Sequence, residues 1–130
     1  MNMSKEEILI NLSEMPMEDK LWVLAKLNLL IKQQEKDKEY KLMKDKYIGT
    51  MEKIMGTDFL SGRKHDNVQA RIVVATCLTE DGQSLVSIAH ILGVDHSTIC
   101  YYKRVWDAAM KYPKAYSDTI NLYNKYRTTL

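Results

Sequence analysis

"LGVDHSTICYYKR" (Leu92–Arg104) decides how this chain is to be folded. Gly93 is the residue type that accepts left-handed backbone where a helix stops. Asp95 is a preferred helix N-cap, and it is followed by the polar residues His96, Ser97 and Thr98. An apolar and aromatic segment comes next and closes on Lys103 and Arg104. The stretch therefore predicts the end of one helix, a tight turn and the start of another. Working outward, Ser84 caps a helix to about Ile91, and the helix begun at Asp95 runs to about Lys111, before the break at Pro113. Ile88-Ala89 gives an apolar-then-small pair, Gly93 follows Ala89 by four, Val94 comes next, and Ile99 and Tyr102 stand six and nine after the glycine. That spacing is what two short helices crossing at close approach require, the helix-turn-helix arrangement.

The rest of the chain also reads as helix, so the expected fold class is all-α. The only β-branched run, Ile72-Val73-Val74, sits inside a helical period over about 68–80, with Asp66 or Asn67 as its cap and Val68, Ile72, Ala75 and Leu78 or Thr79 turned inward. "TEDGQ" (79–83) is a turn, and a last helix covers about 114–127, lined by Ala115, Ile120, Leu122 or Tyr123, and Tyr126. Near the start, Ser4 and Glu7 have capping-box spacing, which predicts a short helix to about Ser13. Pro16 suits the first turn of a second helix, with Glu18 and Asp19 at its positive end. Apolar residues recur at Leu21, Leu24, Leu27 or Asn28, and Ile31, lapse through "KQQEKDKE" (32–39), and resume from Tyr40 through Met43, Tyr47, Met51, Ile54 and Met55 until Gly56. One long helix, or two with a polar hinge, covers about 17–55. The expected organisation is a long helical N-terminal arm or interaction region, residues 1–57, before a helix-turn-helix domain, residues 58–130.

Composition narrows the function classes. The net charge of +2 gives no global signal for nucleic acid, but residues 1–60 carry −1 and residues 61–130 carry +3. All four arginines lie in the second half, and arginine's planar fork suits phosphate and base edges. Cys77 and Cys100 form no C-x-x-C pair and read as reduced, buried or half-buried thiols. No apolar run approaches the roughly 18–20 residues that span a bilayer. "MNMSKEEILINLSEM" places acids where a signal peptide carries positive charge. These features predict a soluble, cytoplasmic protein with no membrane partner.

Three chemistries compete for Asp95-His96-Ser97-Thr98. A nucleophilic triad needs its members facing one another, whereas neighbours on a helix point about 100° apart. A metal site needs ligands on one face, and His90 and His96 lie six apart across a glycine turn. "GTDFLSGRK" (56–64) has the wrong glycine spacing for a phosphate loop and no strand before it. Catalytic residues, a metal site and a cofactor are therefore not expected, and the third reading, the leading end of a recognition helix, stands. Burying Ile99, Tyr102, and Val105 or Trp106 leaves His96, Ser97, Cys100, Tyr101 and Arg104 outward. The first residues of such a helix meet base edges, with the Thr98 methyl suited to thymine, Asp95 to cytosine N4 and His96 to a base acceptor. Tyr101, Lys103 and Arg104 fall nearer phosphates. Asp95 has a competing task as the helix cap.

"NVQARIVVATCLTEDGQSLVSIAHILGVDHSTICYYKRV" (67–105) resembles the C-terminal, duplex-DNA-binding domain of the bacterial replication initiator DnaA. The resemblance covers about residues 63–106 and rests on Ala70-Arg71, on Ser84-Leu85-x-x-Ile88-Ala89, and above all on Asp95-His96-Ser97-Thr98-Ile99. It implies base reading in the major groove by Asp95, His96 and Thr98. It implies minor-groove and backbone contact by Arg71 with the basic loop Arg63-Lys64, and phosphate contact by Lys103 or Arg104. The family usually has Gly-Gly-Arg before the Asp, where this chain has Leu-Gly-Val with a turn one residue shorter. Ala70 stands where proline is frequent, and no stretch resembles the family's ATPase domain.

The expected function is that of a non-enzymatic duplex-DNA-binding protein, a small replication or transcription regulator of a bacterium, phage or mobile element. Ser97 belongs to the same DNA-binding set. Residues 1–57 are expected to engage a second copy or another protein. The alternative is a protein-interaction or structural helical module, phage- or virion-associated, on a repurposed DNA-binding scaffold. Near-neutral charge and eight methionines, which make adaptable apolar contacts, motivate it.

Overall fold

Helices account for all the regular structure of residues 3–130, the part of the chain that this computed structural model describes. Met1 and Asn2, the first residues of the expected arm, lie outside the described residues. The helices are α1 (Lys5–Glu14), α2 (Met17–Met43), α3 (Gly49–Met55), α4 (His65–Glu80), α5 (Leu85–Leu92), α6 (His96–Lys111) and α7 (Ser117–Thr129), with a π-helical turn, Lys44–Ile48, joining α2 to α3. Among the described residues no helix is long and apolar enough to cross a membrane.

The chain divides into two units, residues 1–39 and 40–130, and the division falls inside α2. Residues 40–57, expected with the arm, belong instead to the second unit. Tyr40, Tyr47, Ile48 and Met51 are buried in its core. The expected stripe from Tyr40 to Met55 ignored the π turn, whose wider winding brings both Tyr47 and Ile48 inward, a shift that no local propensity announces.

In the first unit, the Ser4 Oγ accepts from the Glu7 N–H at 3.2 Å and starts α1 as the capping spacing predicts. α1 buries none of its residues. Leu12, Met15, Lys20 and Val23 are half-buried, and the large apolar side chains elsewhere on these two helices stay exposed.

In the second unit, α4 is the central helix. It packs against α5, α6, α7 and the π turn, and its buried residues run from Ala70 to Ala75 and include Cys77 and Leu78. Of the expected inward set, Ile72, Ala75 and Leu78 are buried, Val68 is half-buried and Thr79 exposed, and burial extends beyond that one face for a plain reason. A helix surrounded by neighbours buries its whole circumference. The two cysteines part company: Cys77 is buried, whereas Cys100 is exposed on α6, as its place on the outward face of that helix requires and unlike the half-buried thiol read from composition. Desolvation pushes the Cys77 thiol up to about 12.

One end of α4 is clasped by acid chemistry. Arg127 of α7 donates to Asp81 through Nη2 to Oδ1 at 2.6 Å and Nη1 to Oδ2 at 3.1 Å, and the Tyr47 hydroxyl donates to the same Oδ2. Hydrogen bonding from Arg127 holds the Asp81 carboxyl below its usual range. Burial, reinforced by the Asp81 bond, pushes Tyr47 up to about 12. Nearby, Tyr126 donates to the Tyr47 carbonyl at 2.8 Å in the interior, which ties α7 to the π turn.

The other end of α4 is tied by Arg71. Its side chain is buried, and three donors are used: Nε to the Tyr102 hydroxyl of α6 at 3.1 Å, Nη1 to the Phe59 carbonyl at 3.1 Å, and Nη2 to the Gly62 carbonyl at 2.8 Å. Asn67 supports the same loop by donating to the Ser61 carbonyl at 3.2 Å, rather than capping α4 as expected. The helix starts three residues early, at His65, and Lys64 at the cap position makes no side-chain cap bond.

Replacing Arg71 leaves two interior carbonyls and a hydroxyl without a donor, at about 1–3 kcal/mol for each group stranded. Arg71→Leu is expected to destabilise the chain by roughly 3 kcal/mol or more, a fall in Tm on the order of 10–20 °C. Arg71→Lys should recover less than half, because one ammonium cannot match a three-way fork. Thermal and urea unfolding of the three proteins check this.

Candidate functional site

The α5–α6 corner is built from the residues that opened the sequence reading. Ser84 Oγ accepts from the Ser87 N–H at 3.2 Å and starts α5. Gly93 ends it at φ +68°, in the left-handed region, where its N–H reaches the Ala89 carbonyl. The Val94 N–H reaches the same carbonyl at 3.0 Å. The Val94 bond is the six-to-one bond of a Schellman-type helix end, and the Gly93 bond is that of the simpler left-handed end. Three residues, 93–95, separate α5 from α6. Ile88, Ala89, Ile91, Leu92 and Ile99 are buried behind the corner, and Val94 is half-buried.

Asp95 caps α6. Its Oδ1 accepts from the Thr98 N–H at 2.9 Å, the Thr98 hydroxyl at 2.8 Å and the Ser97 hydroxyl at 2.7 Å. These bonds, the Ser97 one foremost, hold the Asp95 carboxyl down to about 2. The adjacency argument, that Asp95 and Ser97 could not face each other, fails here. Asp95 stands before the helix in extended backbone, so its carboxylate folds back over the first turn. The hydroxyl protons point at the carboxylate and His96 lies outside the three bonds, unlike the relay of a nucleophilic triad.

Exposure sorts the remaining sequence-predicted residues. His96, Ser97, Tyr101, Lys103, Arg104, Arg63 and Lys64 are exposed, Thr98 is half-buried and Arg71 is buried. On a helix that advances about 100° per residue, Ser97, Cys100 and Arg104 form the middle of the outward face of α6. Tyr101 falls to one side, in a cleft of about 290 Å³ shared with His65, Gln69 and the start of α7. Lys103 falls to the other side, in a groove with Glu80 and Asp107. Two carboxylates there make its flank a poorer place for phosphate than that of Arg104.

Arg71 does not stand at the surface. With its fork committed to Phe59, Gly62 and Tyr102, the minor-groove contact implied by the resemblance is withdrawn. Its contribution is positional. It fastens to α6 the loop whose next residues are Arg63 and Lys64, so the basic pair and the outward face of α6 are held by one side chain.

Two residues on this surface, His90 and Lys111, lie outside the DNA-binding set read from the sequence, where His90 is weighed only as a metal ligand. An open cleft of about 770 Å³ at the corner is lined by Val86, His90, Val94, Asp95, His96 and Ser97, among others. His90 enters it from α5, its ring 4.2 Å from that of Tyr40. Nothing in the sequence links Tyr40 to His90. Lys111 continues the Ser97, Cys100 and Arg104 face one helical repeat on, and following that period past Arg104 reveals it. Among the described residues, no group of three or more His, Cys, Asp or Glu side chains is placed to hold a metal ion. Comparison with family models, curated proteins and solved structures gives no match to this chain.

The Asp95 cap carries a definite pH dependence. A carboxyl held below its ordinary value of 3.8 stabilises the folded chain above that value and loses the contribution as pH falls through about 2. Asp95→Asn keeps a neutral acceptor at the cap. It should be less stable than wild type at neutral pH, and the gap should close as pH falls toward about 2. Urea unfolding of both proteins across that window measures the gap, and a gap independent of pH contradicts the cap assignment.

Proposed function

We propose that the chain is a non-enzymatic duplex-DNA-binding protein, a small cytoplasmic regulator of replication or transcription. In this reading α5 and α6 form a helix-turn-helix, and α6 enters the major groove from its N-terminal end. The observation that carries it is the α5–α6 corner. A left-handed Gly93 and a capped α6 stand over a buried apolar set, with His96, Ser97 and Arg104 exposed beside an open cleft. A recognition helix needs those three things together: a fixed crossing, a start free of obstruction and donors aimed outward. The likeness of Asp95-His96-Ser97-Thr98-Ile99 to the DNA-binding domain of DnaA supports the same conclusion.

The roles then divide by geometry. His96 and the Thr98 methyl read base edges. Asp95 and Ser97 chiefly fix the start of the helix, because their polar atoms already bond one another. Arg104 and Lys111 meet phosphate, with Tyr101 beside them, and Lys103 is peripheral. Arg63 and Lys64 supply a second electrostatic contact from the loop that Arg71 holds.

The alternative, an interaction or structural module on a DNA-binding scaffold, is favoured by one observation. The first unit leaves most of its large apolar side chains exposed, which a protein partner would cover.

Fluorescence anisotropy with labelled duplexes over a range of salt separates the two. Binding should weaken steeply with salt. Arg63→Ala and Lys64→Ala should weaken all duplexes alike, each lowering the salt slope by about 1. His96→Ala should cost about 1–3 kcal/mol on a preferred site and little elsewhere. Thr98→Ser keeps the hydroxyl that bonds Asp95 and deletes only the methyl, so it should relax preference at one thymine. No binding to any duplex at low salt would leave the alternative standing.

A further inference from the structure

The two helices of residues 1–39 expose more apolar surface than two short, loosely associated helices can hold in water. Eleven large apolar side chains on α1 and the part of α2 before Tyr40 are 45–67% exposed. On α2 they crowd into "LWVLAKLNLLI" (21–31). At about 100° per residue, Trp22 and Leu29 share one side of this helix, Leu30 another, and Leu24, Leu27 and Ile31 a third. A helix that is apolar all round is a buried helix. Among the described residues no helix is long and apolar enough to be buried by crossing a membrane. A unit of 39 residues also falls below the size, about 40, at which a chain usually holds itself together without disulfides, metal or association. Residues 1–39 contain no cysteine, and the described residues offer no metal cluster.

We propose that this surface is covered by a second copy of the chain, the two hairpins forming a four-helix bundle. The area suffices. A large apolar side chain contributes on the order of 100 Å² to burial, so eleven offer about 1,100 Å² per copy. A standard stable interface needs about 800 Å² from each partner. Number favours a hairpin as the occupant, because one added helix covers one stripe of α2, whereas a second copy brings two helices. Charge sets the direction. Residues 1–19 hold one lysine and five acids, net −4, and residues 20–39 hold five lysines and three acids, net +2. Two copies related by a two-fold axis and laid antiparallel set the acidic end of each against the lysine-bearing stretch of the other. A groove of about 380 Å³ lined by Leu12, Val23, Leu24 and Leu27 receives the partner's side chains. Pairing through residues 1–39 stands apart from the DNA reading, and either holds without the other.

Sedimentation equilibrium of the full chain without DNA tests it. The mass should rise with concentration from 15.1 kDa to a plateau at twice that value. Leu24→Glu with Leu27→Glu should weaken pairing by roughly a hundredfold or more while the thermal unfolding of the second unit is retained. A Trp106→Phe chain keeps Trp22 as its only tryptophan, and its emission should shift to the red on dilution as the interface opens. A mass of 15.1 kDa at every concentration overturns the proposal, and so does a mass that climbs past two copies. An unchanged dimer in the double variant moves the interface elsewhere and overturns it too. A monomer whose Trp22 emission shifts to the blue only with anionic lipid vesicles assigns the surface to lipid instead.

Discussion

Arg71 is the side chain on which the second unit turns. A guanidinium taken out of water is stable only when its donors are met, and here the acceptors come from three separate places. The Phe59 and Gly62 carbonyls belong to the loop after α3, the Tyr102 hydroxyl belongs to α6, and the arginine itself rises from α4. A planar fork with fixed donor directions makes those three positions interdependent. The loop cannot drift without stranding a carbonyl, and α6 cannot rotate without losing the tyrosine. The outward face of α6 and the basic pair Arg63-Lys64 are thus registered to one another by a residue that never reaches the surface.

The corner itself was legible because its signals are local. Gly93 at a left-handed position, Ser84 and Asp95 at caps, and Ile88, Ala89 and Ile99 behind them all follow from short-range rules, and each stands where those rules put it. The misreadings are non-local. The burial of Arg71 was not legible, because its bonds to Phe59, Gly62 and Tyr102 depend on a loop 9–12 residues upstream and a helix 31 residues downstream. The division of the contacts falls at 39/40 rather than 57, because Tyr47, Ile48 and Met51 are drawn into the core by contacts with α4 and α7. The inward face expected for α4 was too narrow, since periodicity in one helix does not count its neighbours. Lys111 was readable from its period and lay past the end of the window considered.

Asp95 shows how one residue type can serve structure and recognition in sequence while geometry ranks the two. Its Oδ1 accepts three bonds from Ser97 and Thr98, which fixes the first turn of α6 before any ligand arrives. In the DNA reading that pre-ordering matters more than direct contact by Asp95, because a rigid first turn presents His96 and the Thr98 methyl without an ordering cost at binding. If the proposed pairing through residues 1–39 and the DNA reading both hold, two paired chains present two reading helices, and the site they favour has two half-sites.

Selection of bound sequences from a random duplex pool, with the full chain as bait, tests the central claim most directly. A reading helix at the α5–α6 corner predicts enrichment of a short defined motif, and the motif should relax when the selection is repeated with His96→Ala. Recovery of a pool indistinguishable from the input contradicts it. So does a motif that His96→Ala leaves unchanged, since the reading surface would then lie elsewhere on the chain.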